Sequence, residues 1–334
     1  MSQFVLMGDE FVPADAAVVN VRSHAFNYGT SVFEGIRAYW NEEEEELLIF
    51  RLGDHLERLR RSAALLHMAL PDNTAGLVDR CRELLSRNAY REDAYLRPIA
   101  YKGMASKLGT NLTFAPDEFT AYSFPQGEYL SQSRALRVCV SSWRRISDNA
   151  APARGKIGGT YVNSALAVTD ATLQGFDECI MLTDDGSVAE GSTSNLFLVQ
   201  GNSLITPPVT ADILVGITRA TVIQIAQEDL GMEVVERTVD RSELYGVDEA
   251  FLCGTGAELS GIGSIDNRTI GTGEFGAVTQ ELQKRYSDAV HGRVEKYRNW
   301  CTPVYNPDPS ASVSEAAVDA VEFGRITVQT PPWV

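Results

Sequence analysis

Lysine is scarce in this chain. Only five of its 29 basic residues are lysines, at positions 102, 107, 156, 284 and 296. Where positive charge alone is needed the chain uses arginine. Each lysine is therefore a candidate for what arginine cannot do, which is to lose a proton and act as an amine nucleophile. Cysteine is sparse too, with five residues at 81, 139, 179, 253 and 301 and no CxxC spacing. The odd number and the spacing argue against a disulfide framework or a zinc site. The four histidines (24, 55, 67, 291) are scattered, which leaves metal catalysis little to work with. No run approaches the roughly 20 apolar residues of a membrane helix. The start, Met1-Ser2-Gln3-Phe4-Val5, has no basic stretch followed by an apolar one, so no signal peptide is expected and the cytoplasm is the default location. Positive charge is in deficit, with a net charge of −16. That argues against nucleic acid and anionic membranes as partners, and any anion site must be built locally.

What is present suits a globular enzyme. The 334 residues are 44% apolar and 22% charged, enough for two domains or one large α/β unit. Phe4–Met7 and Phe11–Pro13 flank Gly8-Asp9, a hairpin signal. Asp54 is placed to cap a helix carrying Leu56, Leu59, Ala63 and Leu66 on one face, and a second helix is expected over 75–87. Residues 95–101 and 119–124 read as strands. The polar stretch from Pro125 to Ser133 reads as a linker, after which Leu136–Val140 opens a second unit. There, helices are expected over 161–173, 217–230 and about 277–290, and strands over 179–182, 195–199, 232–235 and 250–253. The expected division is a small N-terminal α/β domain (1–125), a linker (126–136), a larger C-terminal domain (137–300) and an extension (301–334). The acidic run Glu42–Glu46 reads as a solvated hairpin tip.

Five segments carry chemistry. Lys156 alone among the lysines lies in a glycine-rich segment, Ala153-Arg-Gly-Lys-Ile-Gly-Gly-Thr-Tyr161, where Gly155, Gly158 and Gly159 leave room for a flat cofactor to approach. In isolation, a surface lysine in a flexible loop is the favoured reading. Gly216-Ile217-Thr218-Arg219 opens a helix, and free amides at a helix start form an anion site. Leu252–Glu258 ends a strand in a Gly-Thr-Gly turn that can present successive amides to a phosphate or carboxylate. Glu190 sits between two strands, where a buried carboxylate would keep a pyridine nitrogen protonated. Tyr95 and Arg97 share one face of a strand, and an arginine there can grip a carboxylate in a fork.

Together these segments resemble the class IV (fold type IV) pyridoxal-phosphate aminotransferases, and among them the branched-chain amino acid aminotransferases. The resemblance is carried by Ser23-His-Ala-Phe-Asn-Tyr-Gly-Thr-Ser-Val-Phe-Glu-Gly-Ile-Arg37, His55–Leu59, Tyr95–Arg97, Lys156–Tyr161, Glu190–Phe197, Gly216–Arg219 and Gly254–Glu258, in order over about residues 4–300. It implies a mixed α and β fold of two domains, the larger holding a pseudo-barrel. It implies a Schiff base between Lys156 and pyridoxal 5'-phosphate, with Lys156 also moving the Cα proton. Glu190 would pair with the ring nitrogen and Tyr161 with the phenolic oxygen. Arg58, Ile217, Thr218 and Thr255 would hold the phosphate. Tyr95 and the turn at Thr255, Gly256 and Ala257 would hold the substrate α-carboxylate. Arg97, Tyr129 and Tyr28, the last from a neighbouring subunit, would grip the distal carboxylate of glutamate. Phe33, Gly35 and Arg37 would line the pocket. A homodimer is implied, and higher homo-oligomers are compatible with it.

Two positions depart from the family pattern. Gln126 stands where branched-chain enzymes carry tryptophan, and Thr110 where relatives often have an aliphatic residue. Both make the pocket more polar and bear on substrate rather than on reaction type. The expected activity is transamination between L-leucine, L-isoleucine or L-valine and 2-oxoglutarate. The alternatives on the same fold are an (R)-amine or D-amino acid transaminase, or an aminodeoxychorismate lyase. A catalytically silent binding protein and a cofactor-free Schiff-base aldolase stand further off, because the phosphate-binding turns would then have no use.

Overall fold

The structure, a computed structural model, describes residues 3–127, 130 and 133–306. Its first half is an antiparallel sheet packed on helices. The hairpin of β1 (Phe4–Met7) and β2 (Glu10–Pro13) turns at Gly8, whose φ of +59° suits glycine. Then come α1 (His24–Tyr28), β3 (Ser31–Phe33), β4 (Ile36–Asn41), β5 (Glu46–Phe50), α2 (Leu52–Leu65), α3 (Thr74–Asn88), β6 (Ala94–Lys102) and β7 (Asp117–Pro125). β6 is the spine: it pairs with β7, β4 and β3, and so brings Tyr95 and Arg97 beside Arg37 and Phe33. The apolar faces of α2 and α3 (Leu52, Leu56, Leu59, Leu77, Val78, Cys81, Leu84) close the core beneath this sheet.

The second half contains β8 (Leu136–Arg144), α4 (Tyr161–Leu173), β9 (Glu178–Leu182), β10 (Val188–Gly191), β11 (Asn195–Gln200), β12 (Ser203–Thr206), α5 (Ile217–Leu230), β13 (Glu233–Glu236), β14 (Glu249–Gly254), β15 (Glu258–Ile265), β16 (Arg268–Thr269) and α6 (Ala277–Val290). The strands lie in the order β10-β9-β8-β15-β14-β11-β12-β13, with β16 on β15. This mixed sheet is the half-barrel of the expected fold class. β9 and most of β11 are buried on both faces, which explains their unbroken apolar sequences. A shared core of Tyr39, Leu48 and Phe50 with Phe197, Phe251, Val222, Ile225 and Leu282 welds the two sheets together. No helix among the described residues is long and apolar enough to cross a membrane.

The structure corrects three sequence expectations. Asp54 does not cap α2; the helix starts at Leu52 after Arg51, and Asp54 in the first turn accepts from Arg51 Nε at 2.6 Å. A carboxylate inside the first turn still favours the helix dipole. The acidic run is not wholly solvated. Glu46 is buried and accepts amides from Leu47, Val304, Tyr305 and Asn306 at 2.7–2.9 Å. The expected extension is not separate at its start either, because β17 (Cys301–Pro303) pairs with β5 and completes the first sheet at eight strands.

Candidate active site

Lys156 lies in the loop that enters α4, pinned from both sides. Its amide donates to Ser62 Oγ on α2 at 3.0 Å, its carbonyl accepts from Phe33 N at 3.1 Å, and Ile157 bridges to Val32. The glycines around it are required by this packing. A Cβ on Gly159 would come within 2.9 Å of Gly29 O, one on Gly158 within 2.4 Å of Ser31 Oγ, and one on Gly155 within 2.8 Å of Leu65 Cδ1. The Lys156 amine donates to Tyr161 Oη at 2.7 Å and lies 5.2 Å from the Phe33 ring centre. The Phe33 and Tyr161 rings are themselves 4.9 Å apart.

Glu190, on β10, forms the buried floor. Its Oε1 accepts from Arg145 Nε at 2.8 Å, its Oε2 from Asn195 Nδ2 at 3.0 Å, and Leu214 N reaches both at 3.2–3.3 Å. Burial pushes its carboxyl pKa up, against the pull of Arg145, the Leu214 amide and Lys156. Asn195 also donates to Leu214 O at 2.9 Å and abuts Gly216, where a Cβ would lie 2.0 Å from Asn195 Oδ1.

α5 begins at Ile217. Its cap residue, Gly216, offers no side chain, yet Ile217 and Thr218 are buried. Buried amides of a first helical turn call for an acceptor. Beside them, Arg58 donates from Nη1 to Val215 O at 2.9 Å, and from Nε and Nη2 to Glu34 at 2.7 Å each. His55 Nδ1 lies 2.8 Å from Glu34 Oε2. Burial alone would raise the Glu34 pKa, but Arg58 and His55 bring it down to about 2. Tyr39 Oη donates to Glu258 Oε1 at 3.0 Å, and Glu258 closes the turn holding Thr255, Gly256 and Ala257.

On the opposite wall, Arg97 Nη2 donates to Tyr95 Oη at 2.5 Å, and its guanidinium covers the Phe33 ring at 4.7 Å. Burial pushes the Tyr95 hydroxyl pKa up, while Arg97 and Lys156 pull it down. Gly35 makes room for Tyr95, because a Cβ there would lie 2.2 Å from its hydroxyl oxygen. Arg97 Nε is buried with no partner among the described residues. Arg37 is engaged: it pairs with Asp93 at 3.1 Å and Glu258 at 3.4 Å and donates to the carbonyls of Gln126 and Gly127. It therefore holds the Thr255 turn and the 126–127 segment together. Tyr28 stands apart, 43% exposed, with its ring on His24. Tyr129 lies outside the described residues.

Sequence reasoning assigned no role to Glu34, His55, Arg145 or Asn195. His55 and Arg58, three residues apart on one helix face, were a usable signal for a shared buried acid. Arg145, in the run Trp143-Arg-Arg-Ile146, carried none.

Residues 31–265 match the family described as amino-transferase class IV. A probable branched-chain-amino-acid aminotransferase of Aquifex aeolicus (strain VF5) is 46% identical over 91% of this chain and 97% of its own. The crystal structure of a branched-chain aminotransferase from the thermophilic archaeon Thermoproteus uzoniensis with norvaline superposes with a TM-score of 0.87 at 41% identity, over 91% of this chain and all of that one. That of the branched-chain amino acid aminotransferase from Thermobaculum terrenum in its PLP-bound holo-form gives 0.87 at 40%, over 91% and 98%. A family match across most of the chain, with likeness in sequence and in fold over nine-tenths of it, leads to one assignment: this chain belongs to amino-transferase class IV.

Proposed function

We propose that the chain is a pyridoxal-phosphate-dependent branched-chain-amino-acid aminotransferase. It moves the amino group of L-leucine, L-isoleucine or L-valine to 2-oxoglutarate in a ping-pong sequence, as a cytoplasmic homodimer. The observation that carries this reading is the Lys156 amine donating to Tyr161 Oη at 2.7 Å.

The residues present fit the cofactor. The uncapped, buried start of α5 beside Arg58 suits a phosphate, and the buried carboxylate of Glu190 suits a pyridine nitrogen. When bound, pyridoxal phosphate supplies an aldehyde carbon for exchange of amino groups and a ring that takes up the electron pair released at Cα. Arg58, the amides of Ile217 and Thr218, and Thr255 hold the phosphate. Glu190 holds a proton at the ring nitrogen, and the Tyr161 hydroxyl orients the phenolic oxygen. With the cofactor bound, the Lys156 amine beside Tyr161 Oη would be the group placed to carry the aldehyde and to serve as base toward the Cα proton. Tyr95 and the turn at Thr255, Gly256 and Ala257 orient the α-carboxylate. Arg97 grips the distal carboxylate of glutamate with Tyr129 and with Tyr28 of the partner subunit. Phe33 and Gly35 shape the wall, and Arg37 positions the turn. Departure of the first 2-oxo acid before the second enters accounts for ping-pong kinetics.

The deciding assay offers L-leucine, D-alanine and (R)-1-phenylethylamine with 2-oxoglutarate. L-leucine should turn over fastest. Turnover of D-alanine or the amine without L-leucine would move the chain to one of the alternative activities. Borohydride reduction of the yellow protein should add the cofactor mass to the peptide containing Lys156.

A further inference from the structure

We infer that Arg145 is a positioning residue that, through Glu190, keeps the shared proton on the ring nitrogen of the cofactor. The inference rests on the cofactor reading above and concerns a residue to which neither the family resemblance nor the sequence motifs assign a role.

Arg145 directly follows β8. Its amide donates to Leu182 O at 2.8 Å, which anchors its backbone to β9, and its side chain is buried. From there its Nε donates to Glu190 Oε1 at 2.8 Å. The other contacts of Glu190 are the neutral Asn195 amide and the Leu214 amide. Of the other buried arginines nearby, Arg58 is committed to Glu34, and Arg219 to Glu236 and the carbonyl of Pro207. Among the described residues, Arg145 is thus the formal positive charge in direct contact with the floor.

A proton shared by Glu190 and a pyridine nitrogen has two resting places. It sits on nitrogen, leaving carboxylate and pyridinium, or on oxygen, leaving two neutral groups. Burial favours the neutral pair, since separated charges in a low-dielectric floor are costly. A fixed guanidinium nearer the carboxylate than the nitrogen reverses that preference, because it attracts the carboxylate more than it repels the pyridinium. The proton moves only between Glu190 Oε and the nitrogen, and no other bond changes. The charged arrangement is the one in which the ring draws electrons from Cα.

The test loads wild-type, Arg145→Met and Arg145→Lys proteins with pyridoxal phosphate carrying 15N in the ring. The wild type must first take up the cofactor and show its visible absorption; failure there refutes the cofactor reading itself. Given uptake, the wild type should show a pyridinium resonance and Arg145→Met a neutral pyridine one. In Arg145→Met, kcat should fall about 10- to 100-fold, the scale of outer partners of a reacting group, while KM stays within about twofold. Arg145→Lys should recover the pyridinium resonance and most of kcat. A protonated nitrogen in Arg145→Met, or an unchanged kcat, would overturn the inference. If Arg145→Met does not fold, Arg145→Gln, which keeps a donor without charge, is read in the same way.

Discussion

Glu34 shows how much of the site rests on a residue that touches neither substrate nor cofactor in the proposed scheme. It has no exposure and clasps Arg58 through two 2.7 Å bonds. Its carboxyl is held at about 2 against an ordinary 4.5. Because the folded value is the lower one, this stabilisation is complete above about pH 4.5 and is lost as the pH falls toward 2. The gap corresponds to roughly 3 kcal/mol. His55 adds an earlier limb. Burial lowers its pKa below 6.5, so the fold keeps it neutral where an unfolded chain would bind a proton, and stability begins to fall below about pH 6.5. Urea denaturation of cofactor-free protein checks both. Glu34→Gln should lose roughly 3 kcal/mol at pH 7, because it leaves a buried guanidinium unpaired, and its profile should flatten below pH 4.5. An acid limb as steep as the wild type's would refute the assignment. Gly35 is the second case at this scale. Gly35→Ala must displace Tyr95, the partner of Arg97. KM for the 2-oxo acid should rise roughly tenfold or more, the scale of one lost hydrogen bond to a charged group, with cofactor uptake unchanged. A higher cofactor dissociation constant in a titration would place Tyr95 elsewhere.

Among the elements, those with local signals were legible. α4, α5 and α6 begin and end where the sequence places them, because glycine punctuation and apolar spacing are local. The α5 start could be read as a helix start with free amides from Gly216-Ile217-Thr218 alone. The partners of Glu190 and Glu46 could not, because Arg145 lies 45 residues from Glu190 and Val304 258 residues from Glu46. No spacing rule spans such distances; only the strand order does. Glu46 carries a prediction of its own. Three successive amides, of Val304, Tyr305 and Asn306, end on its buried carboxylate beside β17. Glu46→Ala leaves them without an acceptor and should cost about 2 kcal/mol or more. Hydrogen exchange over 301–306 should accelerate while that of α5 stays as it was. Glu46→Gln, keeping one oxygen, should fall between the two. Uniform acceleration in both regions would mean that Glu46 supports the whole fold and not this edge.

For the molecule as a whole, the mixed fold was readable from the order of strands and helices, and the resemblance added the half-barrel. The welding of the two sheets by Tyr39, Leu48 and Phe50 was not, because each is an ordinary apolar strand residue until the second sheet is opposite it. Large apolar side chains are left exposed in more than one place, on α4 (Val162, Leu173) as well as around α1. Val18, Val21 and Phe26 are 72–75% exposed and Leu108 is 94% exposed. The bridge of Ser23 to Met104 and the contact of His24 Nε2 with Gly109 O at 3.1 Å place the 104–109 segment beside the start of α1. The end of α1 meets the Lys156 loop, where Gly159 N donates to Gly29 O at 2.9 Å. In the proposed dimer a second copy would cover these side chains and bring Tyr28 to the first copy's site. Two copies at −16 each repel, so added salt should tighten the dimer by screening. Size-exclusion with light scattering should show a dimer for the wild type. Phe26→Asp with Leu108→Asp should give a monomer that still binds cofactor at Lys156 but has a raised KM for 2-oxoglutarate. A wild-type monomer with an ordinary KM would place the whole carboxylate grip on Arg97 and its own chain.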